Sequence, residues 1–345
     1  MLVKWYEQKA PDGDVVISSR IRLARNLTNY PFSLKIGDQQ AEELVEKVIE
    51  LTPYLNEKTN VKYFACKMNS LSEVDKKAMV ERHIVSPYLI KEQQVSGLIL
   101  SEDETTSIMI NEEDHLRIQG IAGGMNLESA YEEANKIDDI VCDKLDIAFD
   151  ERYGFLTSCP TNVGTGLRAS CMVFLPALDS AKMIHRIFEE LSKYGVTMRG
   201  IYGEGTKSLG SMYQVSNQKT LGKTEQEIIY KLKSIVNQLV EQERVKRRQF
   251  KKANLDKMED QVYRAYGILK NARQLTASEA MSLLSQIKLG IDIGLIKLDK
   301  DINIHKLMMG VQPGSLQWTL GKDIEPSRRD SSRAEYLRKE IPTII

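Results

Sequence analysis

Hydrophobic positions follow two regimes along the chain. Up to about residue 220, short apolar runs such as "DVVI", "KYFACKM", "GLIL", "SIMI", "ASCMVFLP" and "VTMRGIY" read as strands and alternate irregularly with helical patterns. Asp38 stands as a cap before Ala41, Leu44, Val45, Val48 and Ile49, which share one helix face at 3.6-residue spacing. "LDSAKMIHRIFEELSKYG" reads as a further helix closed by a glycine. Strands and helices do not interleave regularly, which disfavours a doubly wound parallel sheet and gives a mixed α+β class.

From Thr224 the pattern is helical, with neither proline nor glycine before Gly267, so a second, all-helical unit begins there. "TASEAMSLLSQIKLGIDIGLI" opens on a Thr276/Glu279 capping-box pattern, and helical stretches are expected around residues 300 to 310 and 327 to 340. The boundary is placed between residues 235 and 255, dividing the chain into residues 1–240 and 241–345. The basic run "RVKRRQFKK" in that linker reads as a solvated helix face rather than a nucleic-acid contact.

Composition adds exclusions. The 345 residues are 42% hydrophobic, which suits a folded core, and Lys plus Arg and Asp plus Glu both total 48. No global positive field is therefore available for nucleic acid or an anionic membrane, and partners must be recognised locally. Cys66, Cys142, Cys159 and Cys171 show no CxxC spacing, which argues against structural zinc or a disulfide framework. The polar start "MLVKWYEQKAPDGD" and the lack of any apolar run near the ~18 residues of a membrane span lead to the expectation of a cytoplasmic protein.

Five segments carry more polar and glycine residues than their neighbours: "SSRIRLAR", "NEEDHLRI", "TSCPTNVGTGLRAS", "RGIYGEG" and "SRRDSSRAEYLR". Arg20, Arg22, Arg117, Arg168 and Arg199 sit at the edges of predicted strands. Singly each reads as a surface or salt-bridge residue; brought together, five guanidinium forks would suit a polyphosphate. A P-loop is the competing phosphate device, but "GIYGEGTKS" puts Thr206 where the lysine belongs. Cys159, in a polar glycine-rich turn, could be a nucleophile beside a distant histidine, whereas Cys171 in "ASCMVFL" reads as a buried strand residue. Glu113 and Glu204 each end a strand-like run beside an arginine, and as a pair they could hold a planar cation and accept its proton.

Taken in order, "SSRIRLAR", "ERHIVSP", "NEEDHLRI", "CPTNVGTGLRAS", "RGIYGEG" and "YQVSNQKTLGKTE" resemble the phosphagen (guanidino) kinases, over about residues 14 to 235. Within that group the chain is most similar to the bacterial protein-arginine kinases of the McsB type. The resemblance implies a curved antiparallel sheet flanked by helices, and MgATP held by a cage of Arg20, Arg22, Arg117, Arg168 and Arg199. Ser18, Ser19 and Ile21, the backbone of Ala169, Ser170, Cys171 and Met172, and the turn Gly200, Ile201, Tyr202 and Gly203 would lie along the nucleotide. His83 would stack on adenine. Mg²⁺ would enter on the ATP phosphates, without protein ligands. Glu113 and Glu204 match the two carboxylates that grip the substrate guanidinium, and Cys159 matches a thiolate that tunes its charge.

Two departures from ordinary phosphagen kinases are shared with the protein-arginine kinases. Only residues 1–17 precede Ser18, where phosphagen kinases carry a helical domain that covers a free guanidino acid; a site without it is expected to admit an arginine side chain of a protein. The helical extension is implicated by resemblance in homodimer formation. It carries an RDxxRA phosphoarginine-binding motif, here Arg329, Asp330, Arg333 and Ala334. The resemblance also brings a zinc-finger activator, a heat-shock repressor and a Clp-type protease complex as partners. The expectation is a kinase acting on protein arginines; the alternative is a catalytically weak adaptor that reads phosphoarginine.

Overall fold

The computed structural model describes residues 4–7, 10–91, 95–201 and 208–345. Its ten strands are β1 (Val16–Arg25), β2 (Tyr63–Lys67), β3 (Gly97–Ser101), β4 (Thr106–Ile110), β5 (Leu116–Gly123), β6 (Phe149–Asp150), β7 (Gly154–Phe155), β8 (Leu167–Phe174), β9 (Val196–Gly200) and β10 (Met212–Asn217). Eight of them form one antiparallel sheet in the order β2-β3-β4-β5-β1-β8-β10-β9, and β6 pairs with β7 in a separate ribbon. Helices within and after this region are α1 (Asp38–Ile49), α2 (Thr52–Lys58), α3 (Glu73–Glu81), α4 (Pro87–Lys91), α5 (Leu127–Cys142), α6 (Pro176–Ser180), α7 (Ile184–Lys193) and α8 (Glu225–Ala253). The chain ends in α9 (Leu255–Asn271), α10 (Ala277–Asp292), α11 (Ile304–Gly310), α12 (Pro313–Leu320) and α13 (Arg329–Glu340). The expected antiparallel sheet with flanking helices and a helical C-terminal region is what the chain forms.

The two faces of the sheet differ in chemistry because side chains alternate along each strand. One face carries Ile21, Leu23, Ile118, Leu167, Ala169, Cys171 and Val215, and packs on α1, α5, α7 and α8 in the main hydrophobic core. Gly120 lies on this face because α5 passes close: a Cβ there would stand 2.3 Å from the Ala130 carbonyl oxygen. Arg25 also points this way and is held by Asp138 of α5 at 2.6 Å, so the last arginine of "SSRIRLAR" is structural. On the opposite face, Leu98 and Met109 are covered by Met68, just after β2, and by Ile84, Val85 and Leu89 of the α3–α4 segment. Further along that face, Phe174 and Met212 are covered by the C-terminal helices. The polar middle of this face lies between the two apolar covers.

Local chemistry revises three expectations. The cap of α1 is Gly37, and Asp38 occupies the first helical turn, where its charge meets the helix dipole. "LDSAKMIHRIFEELSKYG" breaks into α6 and α7 around Lys182, whose φ is 58°. The basic run is only partly a solvated face: Arg247 is buried, binding Glu243 at 2.8 Å, Asp292 at 3.3 Å and the carbonyls of Asp14 and Phe174. α8 itself runs unbroken through residues 235–253, started by a reciprocal capping box between Thr224 and Glu227.

Candidate active site

The register of the central strands gathers the predicted arginines. Arg22 stands opposite Arg168, Arg20 opposite Ser170, and Arg117 opposite Ala24, one pleat beyond Arg22 on the same face. Arg199 stands opposite Gln214, which in turn faces Met172. All five guanidinium groups therefore project from the face that the main core does not use. Each cation weakens its neighbours: burial, then Arg117 and Arg168, pushes Arg20 down to about 9. Burial, then Arg117, Arg20 and Arg168, drives Arg22 well below its ordinary value. Arg168 is lowered by burial and by Arg199 and Arg117, while Glu113 and Cys159 act in the opposite sense.

Glu113 and Cys159 thus lie within electrostatic reach of Arg168. They come from different loops, and both raise Arg168 against its burial. Their loops are joined by Asp114. Its Oδ1 accepts from the Ser158 amide at 2.6 Å and from Asn26 Nδ2 at 2.7 Å, and the residue is 2% exposed. Cys159 Sγ lies 3.1 Å from Thr161 Oγ1. His115 is not available as a base for a cysteine nucleophile: its Nδ1 accepts from the Leu27 amide and its Nε2 bonds the Pro31 carbonyl.

Glu112, not among the residues picked out in the sequence, sits against the arginine face. Its buried carboxylate contacts the Arg117 guanidinium and the Ser86 hydroxyl and accepts from the Glu113 amide at 2.8 Å. Although burial raises it, Arg117, Ser86 and the Glu113 amide hold Glu112 below its ordinary value. Its adjacency to Glu113 concealed it, because a turn rich in acids gives no sign of which carboxylate points inward. Gln214 is a second such residue, taking the Arg20 Nη2 donor at 2.8 Å.

The remaining predicted residues divide by face. Ser18 faces Met172 across β1 and β8, and Ser170 takes the Arg20 Nε donor at 3.4 Å. Ser19, Ile21, Ala169 and Cys171 point their side chains toward the helices, with Ser19 Oγ 3.7 Å from Cys171 Sγ, and β8 is paired along both edges. His83 follows α3 in a left-handed conformation, φ 63°; burial and then Arg20 push it down to about 3. Gly200 ends β9, and the Ile201 amide donates to the Met212 carbonyl. Tyr202, Gly203 and Glu204 lie outside the described residues. Among the described residues, strand β10 rather than a helix follows β9, which is not the structural context of a P-loop. In the C-terminal region Arg333 is buried. It donates to the carbonyls of Val311 and Leu275, each at 2.7 Å, and to Asp330 at 2.6 Å. Arg329 donates to the Ile324 carbonyl, and Ala334 is in the helical core.

The arginine face fits a polyanion. Arg22 Nε and Arg168 Nε are buried without a hydrogen-bond partner among the described residues. A pair of like charges 4 Å apart costs on the order of 4 kcal/mol at an effective dielectric of about 20, so arginines gathered on one face favour an anion between them. Among the described residues no group of three or more His, Cys, Asp or Glu is arranged to hold a metal ion. No helix among them is long and apolar enough to cross a membrane.

Residues 41–246 match the family described as "ATP:guanido phosphotransferase, C-terminal catalytic domain", and residues 255–344 match "Protein-arginine kinase McsB C-terminal domain". A protein-arginine kinase of Halothermothrix orenii is 44% identical over 341 residues, covering 99% of this chain and 97% of its own. That of Bacillus subtilis is 42% identical over 340 residues, covering 99% of this chain and 93% of its own. Among solved structures, the duplicated taurocyamine kinase from Schistosoma mansoni with bound transition state analog components superposes with a TM-score of 0.61 at 27% identity, over 73% of this chain and 37% of that one. Lombricine kinase, 23% identical, shares the fold with a TM-score of 0.59 over 70% of this chain and 69% of its own. With both regions matched and relatives aligned over nearly their whole length, the chain belongs to the protein-arginine kinase family and is a kinase of the guanidino phosphotransferase type.

Proposed function

We propose that the chain transfers the γ-phosphoryl group of MgATP to the guanidinium of arginine side chains in proteins. The observation that carries this reading is the convergence of five arginines on one sheet face, with Glu113 and Cys159 within electrostatic reach of Arg168. Arg20, Arg22, Arg117, Arg168 and Arg199 hold the phosphates, and Ser18, Ser170, Met172 and His83 line the same face. Mg²⁺ carried on the nucleotide would supply further charge neutralisation, while the arginines hold the phosphate oxygens. A guanidinium has no free lone pair while protonated, so a proton leaves the attacking nitrogen around the time of transfer. Glu113 aligns that nitrogen and accepts the proton. Cys159 sets the local charge, and Glu204 is the second carboxylate of the pair on sequence grounds.

The proposal extends to residues 241–345, where Arg329, Asp330, Arg333 and Ala334 bind phosphoarginine and the helical unit joins a homodimer. The zinc-finger activator, heat-shock repressor and Clp-type protease complex are proposed as partners on family resemblance. Incubating the chain with ATP, an arginine-rich unfolded protein and free arginine in competition tests the core of the reading. Acid-labile phosphate is expected on the protein, and label confined to the free amino acid would overturn it.

A further inference from the structure

The helical unit meets the N-terminal unit at a point that phosphoryl transfer itself does not use. α12 begins with Pro313–Gly314, and the amides of Gly314 and Ser315 donate to the Glu81 carboxylate at the end of α3, at 2.9 and 2.6 Å. A helix N-terminus presents orphan N–H groups and partial positive charge, so a carboxylate there satisfies both. Gly314 is required for the approach: a Cβ would stand 2.7 Å from the Ala78 amide nitrogen and 2.8 Å from Lys77 Cβ. One residue on, the Arg82 guanidinium lies 3.9 Å from the Trp318 ring centroid and pairs with Glu104 at 3.2 Å. The next residue is His83, whose left-handed backbone presents its carbonyl to Gln119 Nε2 at 2.9 Å, and Gln119 faces Arg22 across β5 and β1.

We infer that α12 clamps the nucleotide side of the active site: Glu81 and Trp318 are positioning residues that hold the end of α3, and with it His83, against the arginine face. The helical unit is then needed for nucleotide affinity even with all five arginines in place. The inference rests on the reading of His83 as a nucleotide contact, and the test separates the two. Calorimetric titration of the full chain with MgADP is the measurement. Glu81→Ala is expected to weaken binding about three- to tenfold, and to raise KM for ATP by a larger factor than KM for the protein substrate. Glu81→Gln, which keeps one acceptor, should fall between it and the parent. Trp318→Leu, at a half-exposed position that leaves the core untouched, should weaken MgADP in the same direction and carries the test if Glu81→Ala does not fold. His83→Asn, tolerant of the left-handed conformation, probes the nucleotide contact itself. Weakening by His83→Asn alone, with folded Glu81 and Trp318 variants binding as the parent does, overturns the clamp. Parent-like binding by all of them overturns the contact and the clamp together. A uniform loss of melting temperature, kcat and both affinities also overturns the clamp, because that pattern is general destabilisation.

Discussion

Arg22 and Arg168 stand directly opposite each other on β1 and β8, and among the described residues the Nε of each is buried without a partner. Holding these cations together without an anion costs stability that a bound polyphosphate restores. Arg22→Gln is therefore expected to stabilise the ligand-free chain by about 1 kcal/mol in denaturant titration, as the repulsion is relieved. It should also lower kcat/KM for ATP by about a hundredfold or more. A variant that is less stable and fully active would contradict this assignment.

Glu112 holds Arg117 and receives the Ser86 hydroxyl and the Glu113 amide. Removing its charge leaves Arg117 to reorient and adds to the excess positive charge. Glu112→Gln should reduce kcat/KM by about 10- to 100-fold through loss of charge-assisted hydrogen bonding. Because the folded protein lowers this carboxylate's pKa, its stabilising contribution is present above the ordinary glutamate value and is lost as pH falls through the lowered one. Acid denaturation of Glu112→Gln, followed by circular dichroism, should lose that dependence.

His83 gives a second pH signature. Its pKa is pushed down to about 3, so the unfolded chain binds a proton that the folded chain refuses across the range between that value and the ordinary histidine value. Stability must fall as pH drops through this window. His83→Asn should flatten the slope there, measured as ΔG of unfolding against pH, and an unchanged slope would show that His83 is not held neutral.

Asp114 joins the loop of Glu113 to the loop of Cys159 through the Ser158 amide. Asp114→Ala should cost about 1.5–3 kcal/mol of stability for the lost hydrogen bonds to a charged group. It should also lower kcat more than it raises KM for ATP, and speed alkylation of Cys159 by freeing its loop. Equal effects on kcat and nucleotide KM would point to general unfolding.

Arg333 donates through Nε to the Val311 carbonyl and through Nη1 to the Leu275 carbonyl and Asp330. Arg333→Ala is expected to destabilise the chain by about 2–4 kcal/mol, because it leaves buried acceptors unpaired. Asp330→Asn, at a carboxylate whose side chain is 46% exposed, is the gentler probe of phosphoarginine binding. Calorimetric titration with phosphoarginine should show weaker binding to it, with a smaller loss of melting temperature than Arg333→Ala.

How much of this was legible follows from the range over which each signal acts. The helical C-terminal region declared itself through periodicity and the absence of proline and glycine, which are local properties. The arginines could be chosen by spacing and motif, but their common face depends on pairing between β1, β5, β8, β9 and β10, which no local pattern records. Glu112 was hidden beside Glu113, since direction is decided by a turn that begins at Asn111 with a φ of 55°. Arg247 looked like surface charge because burial of an arginine depends on distant carbonyls and carboxylates. The contact of α12 with Glu81 left only Pro313–Gly314 as a trace, a common helix start that names no partner.

The most direct test is mass spectrometry for phosphoarginine under non-acidic handling, after reaction of the chain with MgATP and an unfolded protein, alongside Glu113→Gln. Phosphate is expected on guanidinium nitrogens of the protein with the parent chain, and a loss of at least about a hundredfold in the variant. Phosphate on hydroxyl side chains, or equal phosphoarginine from Glu113→Gln, would contradict the proposed transfer.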